Sequence, residues 1–331
     1  MDNLTNKFGK RFRDYRKDYY SYIDNYNSDY LFQPIYPLTV LLELVNRCNL
    51  GCIMCDQGFR NDVNKVTITD EALTKIFQDF KENNLSALML SISEPLLYKN
   101  IENVLNMAKE SGIMDLFLFT NGILLGPEKL RMILNSSVTR LFISVDANSE
   151  ETYNIIRPKA KNNGKNQSNR LGKLEENIIN FIDMRNSLGK QLPLVRVSFV
   201  AKDENSHEID DFINKWVKIV DSVEIQEEAS IKVFDQIRNG DHLIMNNNND
   251  VNSYKCNEPW GQMTIYSNGD VGPCCNAVGH YVPIGNVLNE SISEIWNGKK
   301  MEHIREGFKN GTPNNICRLC LQNMGSEYFN S

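Results

Sequence analysis

Eight cysteines carry most of the chemistry this sequence can offer, and seven of them fall into two sets. Cys48, Cys52 and Cys55 stand in the run CNLGCIMC, directly after an apolar stretch of strand character. A Cys-x3-Cys-x2-Cys spacing at the end of a strand brings three thiolates around one point. Structural zinc asks for a closed tetrahedral set, whereas a [4Fe–4S] cubane held by three cysteines keeps one iron open for a further ligand. The count of three points to the cubane, with zinc as the competing reading. Cys256, Cys274, Cys317 and Cys320 form the second set. Asn268-Gly269 reads as a hairpin turn ahead of Cys274, and Cys317-x2-Cys320 closes the set from far along the chain. Four thiolates enclose a metal completely, so by spacing alone a zinc ribbon competes with a second cluster. Cys275 is left over and reads as a packed thiol, because adjacent cysteines rarely ligate one metal.

The elements that must position these thiols follow from hydrophobic pattern. Apolar strand-like runs occur at 38–46, 86–92, 115–120, 139–146, 194–201 and 222–227. Amphipathic stretches with helix-start signals lie between them, at 70–83, 101–111, 127–135, 173–188 and 207–219. Strands alternating with helices imply a parallel sheet, and six units are fewer than the eight of a closed barrel. The expected fold class is α/β, a partial (β/α)6 TIM-like barrel with a small C-terminal β-hairpin/helix unit holding the second cysteine set. The chain divides into a helical arm at 1–36, with Phe8, Phe12 and Tyr15 at helical spacing, a barrel at 37–238, a polar linker at 239–255 and the C-terminal unit at 256–331. A second polar loop is expected at 158–171.

The chain has 331 residues and a net charge of −6, which argues against nucleic acid as partner. No apolar run approaches the roughly 18 residues of a membrane span, and the N-terminal stretch lacks the apolar segment of a secretory signal. A cytoplasmic location is expected, where cysteines serve as ligands rather than disulfides.

With Met54 before its last cysteine, the CNLGCIMC run resembles the signature of the radical S-adenosylmethionine (SAM) superfamily. The likeness continues at successive strand ends. Ser93-Glu94-Pro95 follows the second strand, where that family usually has Gly-Gly-Glu-Pro, with Ile92-Ser93 in place of the glycines. Thr120-Asn121-Gly122 ends the third strand, and Ser144-Val145-Asp146 ends the fourth and leads into ETYNIIRP. The resemblance implies that Cys48, Cys52 and Cys55 hold the radical-generating [4Fe–4S] cluster. It implies SAM contacts from Met54, Ser93, Glu94, Asn121, Ser144, Asp146 and Arg157, with Glu94 near the methionine amino group, Ser144 near the ribose and Arg157 near the carboxylate. Active sites of β/α barrels lie at these strand ends. The C-terminal stretch, with Cys-x12-Gly-x4-Cys, Pro-Cys-Cys and a late Cys-x2-Cys, resembles the SPASM domain. With no cysteine after Cys320 it looks like the shortened "twitch" form of the 2-deoxy-scyllo-inosamine dehydrogenases. That likeness assigns Cys256, Cys274, Cys317 and Cys320 to one auxiliary [4Fe–4S] cluster, and implies flavodoxin or ferredoxin as reductant.

Period-two alternation puts Arg196 with Ser198 and Glu224 with Gln226 on single faces of the last two strands. If those faces point into the barrel, they suit a small polar substrate. His207, His242, His280 and His303 show no pairing that marks a base. The functions this supports are oxidation of a sugar, aminocyclitol or nucleotide sugar, with peptide modification or epimerisation as alternatives within the superfamily. A zinc-binding interaction protein is the alternative outside it.

Overall fold

The computed structural model describes residues 2–25, 30–55, 65–160, 169–227, 236–237, 240, 255–275 and 277–323. The expected loop at 158–171, the linker at 239–255 and His242 lie largely or wholly outside them.

Six parallel strands form the barrel sheet: β1 (Thr39–Leu42), β2 (Ala87–Leu90), β3 (Asp115–Thr120), β4 (Arg140–Ser144), β5 (Leu194–Ala201) and β6 (Ser222–Glu227). The helices α2 (Asp70–Glu82), α3 (Ile101–Glu110), α4 (Pro127–Asn135), α5 (Glu150–Ile156), α6 (Arg170–Ser187) and α7 (Ile209–Trp216) cover its outer face. Alternate strand residues such as Val40, Leu88, Leu116, Leu141, Val195 and Val197 are fully buried on that face. Burial between sheet and helices makes those strands read as apolar runs. The opposite set faces inward and is mixed: Leu41, Met89, Phe117 and Arg140 share one register row, and Ser144, Ser198 and Glu224 share another nearer the C-terminal ends.

The six-stranded sheet does not stop at β1. The hairpin strand β7 (Gln262–Ile265) pairs with β1 in parallel, and β8 (Asp270–Gly272) and β9 (Gly285–Asn286) extend it antiparallel, giving nine strands in the order β6-β5-β4-β3-β2-β1-β7-β8-β9. The open edge of β1 is thereby covered, which removes a free row of backbone donors and acceptors. Gly269, at φ +87°, makes the β7–β8 turn, where a side chain would strike Asn286 and Leu288. A short helix, α8 (Glu258–Gly261), precedes the hairpin, and beyond it come α9 (Ile292–Trp296), α10 (Lys299–Lys309) and α11 (Asn315–Asn323). Trp296 Nε1 donates to Pro34 O at 2.9 Å, and the Ile292 amide to Asp79 Oδ2 at 3.1 Å, fastening this unit to the barrel.

The N-terminal arm is a helix, α1 (Asp2–Asp24), broken at Gly9. It closes the N-terminal mouth of the barrel. Arg11 donates to the carbonyls of Gly112 at 2.7 Å and Leu85 at 3.1 Å, at the starts of β3 and β2. The Tyr15 phenol, bonded to Thr39 beside Asp115, is pushed up by burial first and by that carboxylate second. The closed end leaves the C-terminal ends of the strands as the entrance.

Candidate active site at the strand ends

Cys48, Cys52 and Cys55 lie in the loop that follows β1. The segment after α5 straps this loop down: the amides of Gly51 and Ile53 donate to Pro158 O (2.7 Å) and Ile156 O (3.0 Å), and Ala160 donates back to Asn49 O (3.3 Å). The distance in sequence between CNLGCIMC and ETYNIIRP is therefore closed by backbone pairing. Asn121, at the end of β3, donates through Nδ2 to Cys48 Sγ at 3.6 Å and to Asn49 Oδ1 at 2.8 Å. Arg157 donates through Nη1 to Cys52 Sγ at 3.6 Å. Two of the three sulfurs thus already have N–H donors directed at them.

Asp146 is fully buried just beyond β4, in the left-handed region at φ +61°. Its Oδ2 accepts from Arg157 Nε at 2.6 Å and also meets Nη2, while Oδ1 accepts from the Val200 amide at 2.8 Å. Burial works against the Arg157 charge, but Asp146 and then Cys52 outweigh it and hold the guanidinium charged more firmly than usual. The resemblance placed Arg157 near the SAM carboxylate. The structure engages it with Asp146 and Cys52, because a buried guanidinium needs a fixed counter-charge.

Glu94 is likewise held by protein donors. Its carboxylate accepts from Thr120 Oγ1 (2.8 Å), the Asn121 amide (2.8 Å) and the Leu96 amide (3.1 Å). Burial raises its pKa, opposed by those same bonds. It ties the loop after β2 to the end of β3 and so fixes the backbone that carries Asn121. Ile92 sits at φ +83°, so the backbone keeps a left-handed turn with isoleucine where the resembled family has glycine. Met54 and Ser93 are half-buried beside these groups. Ser93 Oγ donates to Glu43 Oε1 at 3.1 Å. Glu43, 2% exposed, escapes the sequence reading; a carboxylate inside the run LLELVN was its one signal.

Among the suggested substrate residues, Arg196 and Glu224 meet across β5 and β6, Nη1 to Oε2 at 2.5 Å, with the guanidinium 3.6 Å above the Phe142 ring. Arg196 Nε is buried without a hydrogen-bond partner. Ser198 stands in register with both Ser144 and Glu224, and Gln226 is exposed further along the same face. Of the described histidines, His207 and His303 are exposed, while His280 packs edge-on against Tyr266.

In the C-terminal unit, Cys256 lies within electrostatic reach of Cys274 and Cys317, and Cys320 within reach of Cys317. Cys317 and Cys320 lie one turn apart on α11. Asn314 Nδ2 donates to Cys317 Sγ at 3.2 Å. Cys274 Sγ lies only 3.1 Å from where a side-chain carbon at Gly279 would stand, so that glycine keeps its approach open. Cys275 donates to Glu258 Oε2 at 3.3 Å and lies within electrostatic reach of Cys274 and Cys256 as well. Burial pushes the Cys48 and Cys317 thiols up to about 11 and Cys320 up to about 12. Ligation must therefore release these protons. Among the described residues no three His, Cys, Asp or Glu side chains gather tightly enough for a single ion. The donor chemistry fits iron–sulfur clusters: sulfur-only sets, half-buried, with amide and guanidinium N–H groups directed at the sulfurs.

A partial β/α barrel with three thiols at its first strand end and a cysteine-bearing hairpin unit on its open edge defines a class of radical-generating iron–sulfur enzymes. Comparison agrees: the model of the Radical SAM superfamily matches residues 42–215, and that of the SPASM iron–sulfur cluster-binding domain matches 256–321. The chain belongs to the radical SAM superfamily, and its cofactors are SAM and two [4Fe–4S] clusters. It is 26% identical over 195 residues to a probable GTP 3′,8-cyclase of Methanocaldococcus jannaschii, covering 56% of this chain and 59% of that protein. It is 27% identical over 121 residues to an AdoMet-dependent heme synthase of Methanosarcina barkeri, covering 37% and 34%. These curated relatives are thus matched over little more than half their length or less. Among solved structures, Streptococcus suis SuiB bound to S-adenosylmethionine superimposes with a TM-score of 0.60 at 16% identity, covering 80% of this chain and 66% of that one. BtrN in complex with AdoMet and 2-DOIA gives 0.51 at 16%, covering 83% and 88%. These likenesses establish the fold. No described helix is long and apolar enough to cross a membrane.

Proposed function

We propose that this enzyme oxidises a small polar substrate, a sugar, aminocyclitol or nucleotide sugar, by two electrons, with the auxiliary cluster as electron acceptor. When bound, SAM and the first cluster supply a 5′-deoxyadenosyl radical that takes hydrogen from carbon, and the second cluster supplies a one-electron sink. Cys48, Cys52 and Cys55 hold the first cluster, and Cys256, Cys274, Cys317 and Cys320 the second. Ser93, Asn121 and Ser144 line the strand ends where SAM would lie, and Asp146 holds Arg157 against Cys52. Phe119 and Phe142 pack edge to face on the inward side of β3 and β4, beside Arg196. Arg196, with its free Nε, and Ser198 orient substrate oxygens. Oxidation of a carbinol also releases a proton, and Glu224 is the carboxylate on that wall to take it.

What supports the reading is a polar inward wall at Arg196, Ser198 and Glu224, beside an auxiliary set whose four cysteines would leave a cluster no open corner. A closed set favours electron transfer over substrate ligation. Similarity to GTP 3′,8-cyclases favours a second reading, in which the substrate is a nucleotide. The test is anaerobic incubation with SAM and a panel of polyols, aminocyclitols, nucleotide sugars, GTP and peptides. Substrate-dependent 5′-deoxyadenosine with a sugar-type compound supports the first reading, and stimulation by GTP or peptides alone overturns it. Cys55→Ala should abolish SAM cleavage. Cys320→Ala should spare uncoupled cleavage and lose oxidised product, and full product from that variant would remove the electron-acceptor role.

A further inference from the structure

Asn314 stands directly before α11, at its N-cap, and its side chain grips Cys317 twice. Oδ1 accepts from the Cys317 amide at 2.9 Å, and Nδ2 donates to Cys317 Sγ at 3.2 Å. The first contact is an ordinary helix cap, which serine, threonine, aspartate or asparagine can make. The second belongs to asparagine alone, because only asparagine of those four carries an N–H on its side chain. The contact is also shorter than those from Asn121 and Arg157 to sulfurs of the first set, both 3.6 Å. The turn before α11 holds the amide in place. Asn314 O accepts from the Arg318 amide at 3.0 Å, the Thr312 amide donates to Gly307 O at 2.6 Å, and Pro313 is buried. A side-chain carbon at Gly307 would lie 3.0 Å from Thr312 O and 3.2 Å from Pro313 Cα, so the turn packs directly on the backbone of α10.

We propose that Asn314 is a positioning residue that raises the electron affinity of the auxiliary cluster through its N–H···S bond to Cys317. The assignment rests on Cys317 being a ligand of that cluster, as in the function proposed above. Reduction adds negative charge to a cluster and its thiolate sulfurs. An N–H bonded to one of those sulfurs stabilises the reduced state more than the oxidised one, and so raises the reduction potential. No bond forms or breaks in the step that is tuned: the oxidised cluster takes up one electron. That bias suits a cluster that accepts an electron, and the cap by itself does not supply it.

The measurement is an anaerobic potentiometric titration with dithionite, followed by electron paramagnetic resonance. It uses the full chain carrying Cys48→Ala, Cys52→Ala and Cys55→Ala, so that only the auxiliary cluster is read. Asn314→Ser keeps an oxygen for the Cys317 amide and puts nothing where Nδ2 stands. It should move the equilibrium about tenfold toward the oxidised cluster, which is about 59 mV downward for one electron, with iron content and urea midpoint unchanged. Asn314→Ala loses the cap as well, and should show the same lowered potential together with a lower urea midpoint. An unmoved potential in Asn314→Ser makes the side chain a cap only and overturns the proposal. Loss of iron from that variant overturns it too, since the residue would then assemble the site rather than tune it. Cys317→Ala tests the ligand assignment separately: the auxiliary signal should vanish, and its full retention removes the assignment and the tuning role together. An unmoved potential in Asn314→Ser removes the tuning role alone.

Discussion

The Asp146–Arg157 pair lends itself to a quantitative test. Both partners are buried, Asp146 fully and Arg157 at 7% exposed. Asp146→Asn keeps the shape, keeps an oxygen for the Val200 amide and tolerates the left-handed backbone at φ +61°, since asparagine visits that region readily. It removes the charge alone. Stranding a buried guanidinium costs about 3–5 kcal/mol, and with the one amide oxygen kept by the Val200 N–H the NH2 group faces Arg157 and offsets none of it, so a loss of about 3–5 kcal/mol is expected. Asp146→Ala adds two further terms: an unsatisfied Val200 N–H, about 1–3 kcal/mol, and a non-glycine side chain without hydrogen-bonding ability in the left-handed region, about 1–2 kcal/mol. The order of stability should be wild type, then Asn, then Ala. Pairing Asp146→Ala with Arg157→Leu should restore part of the loss, because no uncompensated charge remains. The assay is anaerobic urea unfolding of the cluster-loaded protein followed by far-ultraviolet circular dichroism. A loss below about 1 kcal/mol in Asp146→Asn would place the pair in the class of solvent-screened surface bridges and refute the reasoning.

Two further outcomes follow from local geometry. Glu208 accepts from the Asn148 amide (2.5 Å), Ser149 Oγ (2.6 Å) and Thr152 Oγ1 (2.8 Å) at the start of α5. Burial pulls its pKa up, but the bonds from Ser149, Asn148 and Thr152 outweigh it and hold the carboxyl below its usual value. The stabilisation is thus present above the unfolded value of about 4.3 and lost as pH falls through the lower folded value. Glu208→Gln should be less stable near neutrality and converge with wild type in strong acid; a urea-midpoint gap that stays constant with pH contradicts this. Gly122, at φ +72°, has no room for a side chain, since a carbon there would lie 2.3 Å from Leu174 Cδ1 and 2.9 Å from Ile143 Cγ2. Gly122→Ala should cost about 2–4 kcal/mol from overpacking and backbone strain together, and an unchanged urea midpoint would show that α6 yields freely.

Much of this architecture was legible because its strands are buried between helices and interior. Runs such as DLFLFT and LVRVSFVA coincide with β3 and β5 to the residue. The helix α5 left no usable period because it has only seven residues; its motif residues were recognisable while its secondary structure was not. The cysteine sets were visible through spacing. What spacing does not reveal is where polar side chains turn once buried. Glu94 and Arg157 also hold protein partners that their spacing did not announce, because a buried charge must be satisfied within the fold. The parallel pairing of β7 with β1 joins residues more than two hundred positions apart, and nothing local in either segment announces it.

That pairing also explains Glu43. One residue beyond β1, its Oε1 accepts from Ser93 in the loop after β2, and its Oε2 accepts from the amide and hydroxyl of Ser267 at the end of β7, at 3.0 and 2.8 Å. Ser93 follows Ile92, whose left-handed conformation costs a β-branched residue about 1–2 kcal/mol. Such strain persists only where the surroundings over-determine it. Here Glu94 ties the loop to β3 from one side, and Ser93 ties it through Glu43 to the hairpin from the other. The backbone turn that glycine usually makes freely in this family is held by a buried carboxylate shared with the auxiliary unit. The hairpin that leads to Cys274 is thereby part of what shapes the loop after β2.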